Sequence, residues 1–146
     1  MPPHPTDYPA RLARLYREAP FVAELGLQLA DAGPGWCETT LPLQRRHLQQ
    51  DNFVHAGVQA TMADHTAGSA AGTLMTDDEI VLTVEFKINL LRPAMGDLLR
   101  CRGQVLKEGR TLIVAESEVF AVRGETSTLV AKATVTLARV RQRPRE

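Results

Sequence analysis

The spacing of hydrophobic residues changes character three times along this chain. Leu12, Leu15 and Tyr16 recur at helical spacing between Arg11, Arg14 and Arg17, which predicts a short amphipathic helix over residues 8–18, stopped near Pro20. Residues 21–25, just ahead of Gly26, add one more turn. From Leu27 the runs become short and strand-like. Residues 27–30 and 36–43 read as a hairpin, because Asp, Gly and Pro cluster over 32–35 between them. Residues 45–54 are polar and irregular and read as a loop. A long helix is predicted over 56–74, followed by four strands over 80–90, 98–106, 111–122 and 127–140 with no further helix. The first of these alternates, with Ile80, Leu82, Val84, Phe86, Ile88 and Leu90 on one face and Thr83, Glu85, Lys87 and Asn89 on the other. One long helix followed by an antiparallel meander is an α+β arrangement.

The long helix is unusual in its residues. Ala56, Gly57, Ala60, Ala63, Ala67, Gly68, Ala70, Ala71 and Gly72 dominate it. Each Gly costs about 1 kcal/mol relative to Ala in a helix interior. Close packing compensates, since a helix this slim can be wrapped by a sheet on most sides. With few charges along its length, it reads as buried. Asp64 sits in its middle. Enclosing an unpaired carboxylate among such residues costs roughly several kcal/mol unless the group is paired, hydrated or protonated. A chain that tolerates that cost has a use for the charge.

Composition narrows the setting. The chain has 146 residues, 44% hydrophobic and 23% charged, enough for one domain, 1–146, with a sizeable core. Within it, residues 1–20 form an N-terminal extension carrying the short helix, and 141–146 a basic tail that reads as a solvated end or a contact for an anionic ligand. Lys+Arg and Asp+Glu balance at 17 each, so no net field points to nucleic acid or an acidic membrane. No apolar run approaches the ~20 residues that span a bilayer, and the Pro-rich start lacks the apolar stretch of a signal peptide. Cys37 and Cys101 are expected as free core thiols, and the protein as cytoplasmic.

Two spaced segments carry a family resemblance. Val54-His55-Ala56-Gly57 is followed by Asp64, nine residues after the His, and residues 82–97 read LTVEFKINLLRPAMGD. In this order and spacing they resemble the phenylacetate-pathway (PaaI-type) branch of acyl-CoA thioesterases, over nearly everything from about Phe21 to Val140. The resemblance implies a hotdog fold, in which a curved antiparallel sheet wraps one long helix. Two departures stand out. The first Gly after the His is Ala56 here, and the amide position most often filled by Asn is Gln49, with Gln50 and Asn52 nearby.

The implied chemistry is hydrolysis of a CoA thioester to free acid and CoA, without a cofactor, coenzyme A being part of the substrate. Ala56 and Gly57 open the helix, where backbone N–H groups lack partners and sit at the positive end of the dipole, so they are candidates for an oxyanion hole. Asp64 would act as general base or as nucleophile. It lies eight residues further on, about 12 Å along the axis, too far to reach the same oxygen. In the family, helices pair across a dimer so that one subunit's Asp faces the other's helix start. The resemblance therefore implies a homodimer, or a homotetramer as a dimer of dimers, with sites at the subunit interface. Gln49 would hold the thioester carbonyl or the attacking water, and Thr83 matches a Ser/Thr that orients the water. His55 would shape the helix start or meet the sulfur side. His65, next to Asp64, points elsewhere on the helix. Asn89, Arg92, Arg110 and Thr111 are candidates for coenzyme A. No metal is expected, since the His and Asp residues lack the i,i+4 pairing of a helix-borne His site. Two other readings compete: a hotdog hydratase or dehydratase, and a non-catalytic acyl-CoA-binding protein.

Overall fold

The predicted long helix forms as α3, Ala56–Gly72, and the rest of the fold is arranged around it. In this computed structural model residues 7–142 are described; residues 1–6 of the Pro-rich lead-in and residues 143–146 of the basic tail lie outside the described residues, while Arg141 of that tail ends the last strand. Two short helices come first, α1 (Tyr8–Glu18) and α2 (Pro20–Leu25), the second ended by Gly26 at φ 93°, a left-handed conformation that glycine adopts without strain. Six strands follow: β1 (Gln28–Gly33), β2 (Trp36–Pro42), β3 (Glu79–Leu90), β4 (Leu98–Glu108), β5 (Leu112–Arg123) and β6 (Thr126–Arg141). They make one antiparallel sheet in the order β1-β2-β4-β5-β6-β3, so β3 crosses over to the far edge. This is the hotdog arrangement. The β1–β2 turn is tighter than expected, because β1 runs on to Gly33 and leaves Pro34 and Gly35 as the connection.

The slimness of α3 has its predicted cause. The helix packs against β2, β3, β4, β5 and β6. Contact is closest at Gly103 of β4, where an added Cβ would lie 2.7 Å from the Thr66 carbonyl oxygen. On β5, the Ser117 hydroxyl donates to the Ala63 carbonyl at 2.7 Å. Met62, Ala63, Ala67 and Ala71 are buried in one core with Leu41, Leu99, Ile113, Val119, Val135 and Leu137. Cys37 and Cys101 are free and buried, as expected. Desolvation pushes the Cys37 thiol up to about 11 and the Cys101 thiol up to about 12.

Two expectations need correction. The helix is not buried all round: Ala56 and Gly57 are exposed, and Ala60, Thr61, Asp64 and Gly68 are half-buried. The sheet closes over one side of α3 and leaves this stripe uncovered. The clean alternation read for residues 80–90 also fails. Thr83 pairs with Leu137 and Glu85 with Thr136, so Val84 is an extra residue in a β-bulge. Directly opposed residues share a face. Val81 and Thr83 therefore join the helix side before the bulge, and Phe86, Ile88 and Leu90 after it. Leu82 and Val84 face outward, 54% and 58% exposed.

Candidate active site

His55 sets up the start of α3. Its φ/ψ of −60° and 137° are extended, and its Nδ1 accepts from the Gly57 N–H at 2.8 Å, making it the N-cap. Of the two backbone donors proposed from sequence, Gly57 N–H is thus already paired, while Ala56 N–H has no acceptor among the described residues. Gln49 reaches the same region from the preceding loop. Its Oε1 accepts from the backbone N–H groups of Asp51 and Phe53, closing a turn in which Asn52 takes a left-handed φ of 67°. The Nε2 side of that amide remains available as a donor. Gln49, His55 and Ala56 line a cavity of about 500 Å³ together with Gln50, Phe53, Val54, Gln59 and residues 90–94.

Asp64 lies elsewhere on the chain. Thr83 Oγ1 donates to its Oδ1 at 2.7 Å, joining the middle of α3 to the bulged segment of β3. Both line a second cavity of about 430 Å³, walled by Leu12 and Leu15 of α1, by Gly68, Ser69 and Gly72 of α3, and by Ile80, Val81 and Leu137. His65 lines it as well, rather than pointing away as expected. Its ring meets Tyr16 edge-on at 4.8 Å, and its Nε2 has no partner among the described residues. Burial holds His65 below its usual 6.5, with the Asp64 carboxylate pulling the other way. Beneath it, the Tyr16 hydroxyl shares a 2.7 Å hydrogen bond with Ser69, and burial raises the phenol above its ordinary range.

The coenzyme A candidates do not converge within one chain. Arg92 lines the first cavity and donates to the Leu129 carbonyl at 2.8 Å, near the start of β6. Thr111 lies at the other end of that strand, where its carbonyl accepts from Arg139 N–H, with Arg110 exposed beside it. Asn89 pairs with Lys132, on the face away from the helix. His47 has both ring nitrogens engaged: Nδ1 accepts from Gln44 N–H at 3.0 Å, and Nε2 bonds the Leu25 carbonyl at 2.8 Å. Among the described residues, no group of three or more His, Cys, Asp or Glu is placed to hold a metal ion. No helix among them is long and apolar enough to cross a membrane.

Sequence reasoning missed the α1 side chains as cavity walls, and it missed Gln59. The amphipathic stripe of α1 told only that one face is covered. Gln59 carried a signal, being the one amide within the apolar first turns of the helix.

Comparison with known proteins agrees with this architecture. The family model described as the thioesterase superfamily matches residues 51–128, more than half of the chain. A thioesterase family protein from Silicibacter pomeroyi is 37% identical, with a TM-score of 0.89 over 92% of this chain and 98% of that one. The PaaI protein of the phenylacetic acid degradation operon of E. coli shares the fold at a TM-score of 0.82 and 19% identity, over 92% of this chain and 94% of its own. A 1,4-dihydroxy-2-naphthoyl-CoA hydrolase from Listeria monocytogenes is 24% identical over 78% of this chain and 90% of its own. With a helix inside a curved sheet and the family's segment spanning the start of α3, Asp64 and Thr83, the chain belongs to the thioesterase superfamily and is a thioester hydrolase of the hotdog fold.

Proposed function

We propose that the chain hydrolyses acyl-CoA thioesters, without a metal, in a site assembled from two copies. The observation that carries this reading is the Asp64–Thr83 pair on the uncovered stripe of α3. Thr83 holds Oδ1 and leaves Oδ2 to act. As general base, Asp64 takes a proton from water while the oxygen adds to the acyl carbon. The oxyanion that forms lies against Ala56 N–H and Gln49 Nε2 of the neighbouring copy, donors aimed where charge develops. Collapse breaks the C–S bond, and the CoA thiolate takes the proton back from Asp64. As nucleophile, Asp64 would instead attack the carbon and form a mixed anhydride that water then opens. A thiolate is a good leaving group, so neither route needs a metal.

Distance and surface support a second copy. Ala56 and Asp64 stand about 12 Å apart on one rigid helix, and they line different cavities. The strand β3 ends the sheet with an unpaired edge and exposed Leu82, Val84, Phe86 and Leu90. Such an edge invites association unless something covers it. A twin chain laid antiparallel along it, as a dimer or within a tetramer, brings each Asp64 to the other's helix start. A CoA substrate fits the expected cytoplasmic location, and the name of the Listeria relative favours an aromatic acyl group within the class.

Thiol release from a panel of aliphatic and aromatic acyl-CoA thioesters tests the reading. Turnover is expected, and Asp64→Asn should keep fold and assembly while losing at least ~100-fold in kcat. Undiminished turnover in that variant would remove Asp64 from the mechanism.

A further inference from the structure

We propose that Gln59 is a substrate-binding residue, its carboxamide oxygen accepting a hydrogen bond from the pantetheine amide N–H nearest the sulfur. Gln59 is only 4% exposed, and its Oε1 has no hydrogen-bond partner among the described residues. Leaving a buried amide oxygen unpaired is costly, and such groups are rare in native proteins. Its Nε2 donates to the Val54 carbonyl at 3.3 Å, which fixes which end of the amide is left over. The tether also keeps the carboxamide beside Val54, at the wall of the cavity that Gln49, His55 and Ala56 share.

The chemistry of the ligand follows from spacing. The inference rests on the thioester reading, which places the acyl oxygen at Ala56 N–H. Gln59 lies three residues further on, so the two are neighbours across one turn of about 5.4 Å. The free atom is an acceptor, and it needs a donor. In a CoA thioester the acyl oxygen and sulfur offer none, and the two carbons beyond the sulfur offer none. The first donor is the secondary amide N–H that follows them, about one helical turn from the acyl oxygen. Gln59 would thus recognise the carrier arm independently of the acyl group.

Paired small thioesters test this. One carries the acyl group on N-acetylcysteamine, which keeps that amide. The other carries it on O-acetyl-mercaptoethanol, which puts an ester oxygen where the N–H was. Wild-type chain should prefer the amide by about tenfold in kcat/KM, and Gln59→Met should reduce the preference to within about twofold. Equal preference in the two chains overturns the contact, as does no preference in the wild type, a comparison that stands even if the variant fails to fold. Wild-type chain that turns over no thioester at all overturns the hydrolase reading and this contact with it. Normal turnover with unchanged preference overturns the contact alone.

Discussion

Asp64 is flanked by two groups that treat protons differently. Thr83 donates to it at 2.7 Å, while His65, the next residue, is held below 6.5 by burial and has an unpartnered Nε2. The unfolded chain therefore takes up a proton at this histidine before the folded chain does. Its contribution to stability is present in full above pH 6.5 and is lost as pH falls from 6.5 through the lower folded-state value. We expect Tm to fall between pH 7.5 and 5.5, and to fall less in His65→Gln. Equal acid sensitivity in both chains would show that other groups carry it. Much of this was legible in the residues. A lone carboxylate in an Ala/Gly run marked Asp64, but the alternation of β3 put Thr83 on the wrong face. Only its likeness to a family position pointed to it, because a bulge leaves no mark in hydropathy.

At the scale of one element, the start of α3 turns on Ala56 N–H, a group no ordinary side-chain substitution removes. Proline does remove it. Ala56 is the first helical residue, where proline is well tolerated, and His55 already has the extended conformation that a following proline requires. Ala56→Pro should keep α3 and the Tm within a few degrees while lowering kcat by roughly 100-fold, the usual loss for one oxyanion donor. Unchanged kcat would reassign the oxyanion site. Existence and extent of α3 were readable from Ala content and small-residue spacing, but not which of its first N–H groups stays free. That depended on the rotamer of His55, which the sequence does not specify. The close approach of sheet and helix gives a second expectation. Gly103→Ala should destabilise by about 1–3 kcal/mol in chemical denaturation, because its Cβ meets backbone at Thr66 that has nowhere to move.

For the whole molecule, the decisive arrangement is that Ala56 and Asp64, on one uncovered stripe of α3, line different cavities, which under the proposed function makes them halves of two sites. Chains carrying Ala56→Pro and chains carrying Asp64→Asn should each be nearly inactive alone. Mixed by unfolding and refolding, heterodimers gain one site free of both substitutions and one site with both, so about a quarter of wild-type activity should return. No recovery, with mixing verified by mass, would count against a shared site. Fold class was legible because the hydrophobic period changes at Leu27, Ala56 and Ile80. Strand order was not: a simple meander would pair β3 with β4, whereas β3 pairs with β6 at the far edge. Nor were the coenzyme A groups, since Arg92 and Arg110 are neighbours in chemistry but lie near opposite ends of β6.

The extra residue in β3 has one further consequence. Counted from its two ends, the strand keeps separate reading frames, and Val84 is where they meet. Loss of Val84 would merge them into a regular ladder with Thr83 and Phe86 still turned toward α3. Loss or gain of a residue between Glu85 and Leu90 would instead set one frame against the other and swing either the hydroxyl that holds Asp64 or the apolar edge to the wrong side. In this strand, length is constrained more tightly than the identity of most of its side chains.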